Sequence, residues 1–193
     1  MMEKDKERWN KRYTEEEYPW KEPSKIVREF YNLSRKGKAL DIASGLGRNA
    51  IFLYDKGFDV DAVDISDVAL GRIKKERPEI NTIQADLDIY NIPENSYDLI
   101  ININYLNRRL IPQIKEGLKK GGVVIFETFT LKKGKEYMQP ENKDYLLRPN
   151  ELLHLFIDMY IVFYQEKDYV KPDGQRAFIS SLVAIKNCDY FPK

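Results

Sequence analysis

Several kinds of chemistry are excluded by what this sequence does not contain. Its 193 residues include one cysteine and one histidine. The lone cysteine, Cys188, cannot close an intramolecular disulfide, which fits a reducing compartment. One histidine and one cysteine cannot assemble a zinc site, so no metal is expected. His154 stands between Leu153 and Leu155 in an expected amphipathic helix and reads as structural or solvated. No apolar run approaches the roughly 18 residues of a membrane span, and the charged start at residues 1–8 has no apolar signal core. These absences predict a cytoplasmic protein with no membrane partner. Charge of one sign is missing too, since 32 basic residues meet 31 acidic ones for a net +1. The broad positive field that a phosphate backbone requires is therefore absent, and no nucleic-acid partner is expected. Neither a Gly-x-Ser-x-Gly elbow nor a P-loop lysine motif occurs.

What remains is an ordinary globular composition, 42% hydrophobic and 33% charged, at the length of one α/β domain. No repeat or linker divides it. The expected organisation is a single domain over 1–193, with an N-terminal helical or lid segment at 1–35 and a Rossmann-like core at 38–193. Residues 1–20 are highly charged but carry Trp9, Tyr13, Tyr18 and Trp20, too aromatic for a plain disordered tail. Ser24 opens a helical segment closing near Gly37. Strands are predicted at about 38–43, 58–64, 80–85, 97–103 and 123–126. Between them fall helices from Arg48 to Lys56, from a Ser66 cap to just before Pro78, and through Leu106, Leu110, Ile114 and Leu118 to a stop at Gly121-Gly122. Residues 130–148 read as a long polar loop and 150–157 as a short helix. Two final β runs, 159–167 and 177–186, join through Pro172-Asp173-Gly174 as a hairpin.

Three of the predicted strands run into an aspartate: Asp41, Asp64 and Asp86, spaced 23 and 22 residues apart. In a parallel sheet this places one carboxylate per strand along the C-terminal edge, where open α/β sheets bind ligands. The first aspartate leads into Ala43-Ser44-Gly45-Leu46-Gly47, whose glycines allow a tight turn and a close backbone approach. A vicinal diol is best held by a carboxylate, which accepts at two oxygens. Gly45-Leu46-Gly47-Arg48-Asn49-Ala50 also fits the dinucleotide fingerprint G-x-G-x-x-A. A dehydrogenase, however, has no use for Asp41 ahead of the glycines or for Asp86 one strand later.

The pattern resembles the class I S-adenosylmethionine (SAM)-dependent methyltransferases, whose first motif looks like Asp41-x-Ala43-x-Gly45-x-Gly47, with Ala43 where that family usually has glycine. The resemblance implies a doubly wound, mostly parallel seven-stranded sheet with a C-terminal antiparallel hairpin, SAM as cofactor and S-adenosylhomocysteine as product. It places Asp41 near the cofactor's amino group, Asp64 on the ribose hydroxyls and Asp86 on the adenine amino group. Ile65 would pack on the adenine and Leu87 would offer its backbone amide. Trp9-Asn10-Lys11-Arg12-Tyr13 resembles the segment that closes over the cofactor in tellurite-resistance and thiopurine-type methyltransferases; the plain alternative is that Trp9 and Tyr13 pin an N-terminal helix. Arg48 and Ser44 belong to the same cofactor set, as does Asn102 at the end of the fourth strand.

Asn104-Tyr105 lacks the two prolines of the DNA amino-group methyltransferases, which counts against that chemistry. Tyr105 is expected to form a substrate wall, with Tyr137 and Tyr145 beside it and Arg108 either recognising an anionic substrate or beginning a solvated helix. The expected partner is a small nucleophilic acceptor: a thiol, an amine or a metalloid oxyanion. The alternatives are an RNA or protein methyltransferase and a non-catalytic SAM-binding regulator.

Overall fold

The computed structural model describes residues 2–15, 22–140, 142–171 and 173–187; Tyr18, Trp20, Pro172 and Cys188 lie outside them. Its strands are β1 (Lys38–Ile42), β2 (Asp59–Asp64), β3 (Asn81–Gln84), β4 (Tyr97–Ile103), β5 (Leu118–Phe129), β6 (Tyr160–Val170) and β7 (Arg176–Ile185). They form one sheet in the order β3-β2-β1-β4-β5-β7-β6. β1 to β5 are mutually parallel, and β7 runs antiparallel to both β5 and β6. The helices are α1 (Met2–Glu15), α2 (Lys25–Phe30), α3 (Arg48–Asp55), α4 (Asp67–Glu76), α5 (Leu110–Gly117) and α6 (Glu151–Leu155). None of them is long and apolar enough to cross a membrane.

Alternate strand residues feed two cores, one on each face of the sheet. On one side Leu40, Ile42, Ile100 and Phe126 pack with Leu110 and Ile114 of α5 and with Phe156. On the other Ala39, Ile101, Ile103 and Ile125 pack with Val27 of α2, Leu53 of α3 and Ile73 of α4. The unbroken apolar run of β4 follows from this double cover, because both of its faces are buried. Ser66 caps α4 as expected, its hydroxyl accepting from the Ala69 amide at 3.1 Å.

The helix expected to run through Leu118 to the Gly121-Gly122 pair is shorter, ending at Gly117, and β5 begins at Leu118 instead of Val123. The cause is the far end of β7. Gly121 N donates to Lys186 O and Lys186 N donates to Gly122 O, each at 2.9 Å. The Lys186 ammonium also donates to Leu118 O at 2.6 Å and to Glu116 O at 3.2 Å, covering carbonyls at the helix end. These long-range bonds override the local helical period. Leu118 stays fully buried, but as a strand residue opposite Tyr97.

The 130–148 loop is tied at its base, where Leu131 N donates to Leu147 O at 2.8 Å and Leu147 N to Phe129 O at 3.0 Å. Midway it leans on the hairpin through Met138 N, which donates to Arg176 O at 2.8 Å.

Candidate active site

The three aspartates stand at one rim of the sheet on a diagonal. Asp41 is opposite Ala62 in the β1–β2 register, which leaves Asp64 two residues further out. Asp64 is opposite Gln84, which leaves Asp86 two further still. Each step advances the carboxylate by roughly 6–7 Å, so together they trace a line across the rim. All three border a cavity of about 1120 Å³. Ligand pockets commonly measure roughly 300–1,000 Å³, so there is room here for two small molecules.

Between Asp41 and α3 the backbone passes through three left-handed residues, Ala43 (φ 53°), Gly45 (φ 53°) and Gly47 (φ 79°). For Ala43, which carries a Cβ, that conformation costs about 1–2 kcal/mol. Gly47 caps α3, and a Cβ on it would come within 2.4 Å of Ile73 Cγ1. Its role is to let α3 and α4 approach, and it does not line the cavity.

Asp41 is 1% exposed, and its Oδ2 has no hydrogen-bond partner among the described residues. Burial pushes its carboxyl up to about 8, against the pull of the Arg48 guanidinium. Ser44 lines the same cavity, and its Oγ is likewise buried without a partner among the described residues. Buried polar atoms are ordinarily bonded, so this pair calls for a ligand. Arg48 also borders the cavity, with one guanidinium nitrogen donating to Glu22 O at 2.8 Å.

Asp64 is nearly as buried. Its Oδ2 accepts from Gly45 N at 2.8 Å and its Oδ1 from Ser66 N at 2.9 Å, so one carboxylate ties the glycine loop to the α4 cap. Burial raises this carboxyl, while the amides of Ser66, Gly45 and Ile65 oppose the rise. Asp86 accepts from the Asp88 amide at 2.9 Å. Ile65 and Leu87 complete this end of the wall.

Helix α1 lies along the cavity margin and presents Trp9, Arg12 and Tyr13 to it. Trp9 stacks on Tyr13 at 5.6 Å between ring centroids, and the Arg12 guanidinium sits 5.3 Å from the Trp9 ring. The helix is latched to the N-terminus of α4. Asn10 Nδ2 donates to Asp67 Oδ1 at 2.7 Å, Ser66 Oγ donates to Asn10 Oδ1 at 2.6 Å, and Lys6 pairs with Asp67 at 2.8 Å. Ser66 thus serves both as helix cap and as latch.

At the opposite end, Tyr105 and Tyr145 line the cavity, and burial raises the Tyr105 hydroxyl to about 12. Asn102 is buried behind the wall, its amide donating to Tyr105 O at 2.7 Å, and so shapes the turn in which Asn104 takes φ 60°. Arg108 reaches the cavity, but its guanidinium is engaged elsewhere. It forms a fork onto Glu151 at 2.6 and 3.0 Å and donates to Asp144 O at 2.7 Å and Leu146 O at 2.9 Å. Tyr137 stays outside the wall and donates to Asp168 at 2.6 Å. His154 is on α6, its Nδ1 2.8 Å from Asn150 O, away from the cavity. Met138 of the 130–148 loop joins the lining, as do Lys171 and Gln175, which the sequence did not single out. A lysine next to Pro-Asp-Gly reads locally as a solvated turn residue.

Residues 39–122 match the family described as a methyltransferase domain. The match spans less than half of the chain, and this segment is similar to a methyltransferase domain. Over 90 residues the chain is 33% identical to the probable S-adenosyl-L-methionine-dependent methyltransferase TehB of Haemophilus influenzae. That match covers 43% of this chain and 31% of the relative's length. The crystal structure of TehB from Haemophilus influenzae superposes with a TM-score of 0.70 at 24% identity, covering 83% of this chain and 61% of that one. A SAM-dependent methyltransferase from Methanosarcina mazei gives 0.68 at 16% identity, covering 86% and 98%. The [4+2]-cyclase SpnF shares the fold as well, at 0.64 and 15% identity, covering 83% and 78%. Reaction therefore has to be read from the site and not from the fold.

The name of the TehB relative gives SAM as that protein's cofactor. The residues at the rim fit it chemically. SAM carries an ammonium, a ribose diol and an adenine amine, all donors, and the rim offers three carboxylates and the unpartnered Ser44 hydroxyl.

Proposed function

We propose that this chain transfers a methyl group from SAM to a small nucleophilic acceptor: a thiol, an amine or a metalloid oxyanion. The observation that carries this reading is the pair of buried polar atoms without partners, Asp41 Oδ2 and Ser44 Oγ, on the wall of a cavity that Asp64 and Asp86 also border. In this reading Asp41, Ser44 and Arg48 hold the amino-acid end of the cofactor. Asp64 keeps its two backbone bonds and still accepts the ribose diol, because each carboxylate oxygen has a second lone pair. Asp86, Ile65 and Leu87 hold the adenine, while Trp9, Arg12 and Tyr13 cover the site. Ala43 and Gly45 give the loop its curvature, and Asn102 acts by fixing the Tyr105 turn.

When bound, SAM supplies an electrophilic methyl carbon on a sulfonium. The chain's own work is to align the nucleophile and to exclude water, which α1 on one side and the 130–148 loop on the other are placed to do. A thiolate or oxyanion acceptor arrives already deprotonated, so no side chain has to take a proton from it. Tyr105 and Tyr145 form the wall against which the acceptor rests.

The test has two stages. Calorimetry should show binding of SAM and S-adenosylhomocysteine and none of NAD. A screen of small thiols, amines and metalloid oxyanions should then release S-adenosylhomocysteine with at least one acceptor. Cofactor binding without turnover would leave a SAM-binding regulator, and methyl incorporation into tRNA or rRNA would replace the small acceptor with nucleic acid.

A further inference from the structure

Between β3 and β4 the chain from Ala85 to Ser96 forms neither helix nor strand. It carries Asp86 and Leu87, and its own backbone bonds near them make only a turn. Asp86 O accepts from Ile89 N at 3.1 Å and from Tyr90 N at 2.8 Å. Those bonds shape the turn and leave its placement against the cavity to other groups.

The segment that opens α5 supplies them. Asn107 Nδ2 donates to Leu87 O at 3.3 Å and to Asp88 Oδ1 at 3.0 Å. The Arg109 guanidinium donates to Leu87 O at 3.4 Å, to Asn91 Oδ1 at 3.3 Å and to Tyr90 O. Asn107 Oδ1 in turn accepts from Arg109 N at 3.0 Å, which sets the two residues relative to each other. Further along α5, Gln113 Oε1 accepts from Ile92 N at 3.0 Å.

Leu87 O is the acceptor that Asn107 and Arg109 share, and it belongs to the same peptide unit as the Asp88 N–H. That N–H donates to Asp86 Oδ1 at 2.9 Å, the one hydrogen bond to this carboxylate among the described residues. A peptide unit is planar, so holding its carbonyl also fixes the direction of its N–H. The grip on Leu87 O is thereby passed to the Asp86 carboxylate.

We propose that Asn107 and Arg109 are positioning residues for base recognition. By holding the Leu87–Asp88 peptide they aim the Asp86 carboxylate at the adenine amine, and so set the preference for adenine over a base with a carbonyl at that position. This rests on the methyltransferase reading, in which Asp86 and Leu87 hold the adenine.

The test compares binding of S-adenosylhomocysteine with that of S-inosylhomocysteine, whose base carries a carbonyl in place of the amine. The wild type should prefer the adenosine compound by about tenfold or more, the scale of one charge-assisted hydrogen bond. Arg109→Met should cut that preference by about threefold or more, and Arg109→Lys, which keeps a donor for Leu87 O, should retain most of it. Asn107→Asp keeps the acceptor for Arg109 N but loses the donors to Leu87 and Asp88. It should also lower the preference, and it remains informative if Arg109→Met does not fold. A merely structural role weakens both compounds alike, so an unchanged ratio in either variant overturns the proposal, as does a wild type without preference. Failure of the wild type to bind either compound counts against the methyltransferase reading instead. Hydrogen exchange over residues 86–91 of the ligand-free protein then decides the grip itself: it should quicken in Arg109→Met, and unchanged exchange there overturns the positioning role.

Discussion

The Tyr13 hydroxyl lies 2.8 Å from the point that a Cβ on Gly45 would occupy. The glycine of the cofactor loop therefore accommodates helix α1 as well as any ligand, and the two segments cannot be altered independently. Gly45→Ala should lower stability by roughly 2–3 kcal/mol, from the left-handed backbone plus the clash. Tyr13→Phe should restore the clash component, because removing the hydroxyl frees that space. In a thermal-unfolding double-mutant cycle the two changes should couple by about 1 kcal/mol. Strict additivity would mean that Tyr13 and Gly45 do not meet in solution.

Asp64 holds two backbone amides at once, so its removal should have two consequences. Asp64→Ala should destabilise the ligand-free protein by about 2–3 kcal/mol, because the Gly45 and Ser66 amides lose a charged acceptor. It should also weaken SAM binding by roughly 30- to 150-fold, the loss expected for charge-assisted bonds to the ribose. Chemical denaturation and calorimetry read the two effects separately. A variant that is destabilised yet binds SAM normally would confine Asp64 to holding the loop.

Much of the fold was legible because its signals are local. The apolar run 97–103 became β4 without adjustment, and Ser66 caps α4 as its sequence context indicated. The aspartate spacing located the rim, although the diagonal stagger needed the strand register. What could not be read depended on residues far away in sequence. Leu118 has a helical spacing, yet Lys186 draws that stretch into β5. Arg108 read as either an anion-recognising residue or a solvated helix start, and it is free for neither role, because Glu151, distant in sequence, holds its guanidinium. Gly47 sits in the cofactor motif, but its missing Cβ is explained by Ile73 of α4.

Arg108 braces the acceptor end of the cavity through Glu151, Asp144 O and Leu146 O. Arg108→Ala should free the 142–147 segment, seen as faster hydrogen exchange there. Turnover should fall mainly through a raised KM for the acceptor, with cofactor affinity preserved, because the brace lies away from Asp41 and Asp64. Glu151→Gln should reproduce the effect more weakly, since a neutral partner still accepts one bond. A drop in SAM binding of the same size as the drop in kcat/KM would contradict this division of labour.

In the proposed reading, Asp41 couples cofactor binding to protons. Its carboxyl, ordinarily near 3.8, is pushed up to about 8 by burial in the folded chain. Between those values the folded state holds a proton that the unfolded chain has released. The stability this contributes is full below the ordinary value and is lost as pH rises through about 8. Asp64, raised by burial as well, adds a slope of the same sign. Asp41→Asn should flatten the pH dependence of thermal stability over this range. A cofactor ammonium paired with Asp41 demands the ionised form, so binding near neutral pH should expel close to one proton. The apparent binding enthalpy should then differ between phosphate and Tris buffers for the wild type and coincide for Asp41→Asn, which should also bind about 10- to 100-fold more weakly. Identical wild-type enthalpies in the two buffers would place the cofactor's ammonium away from Asp41.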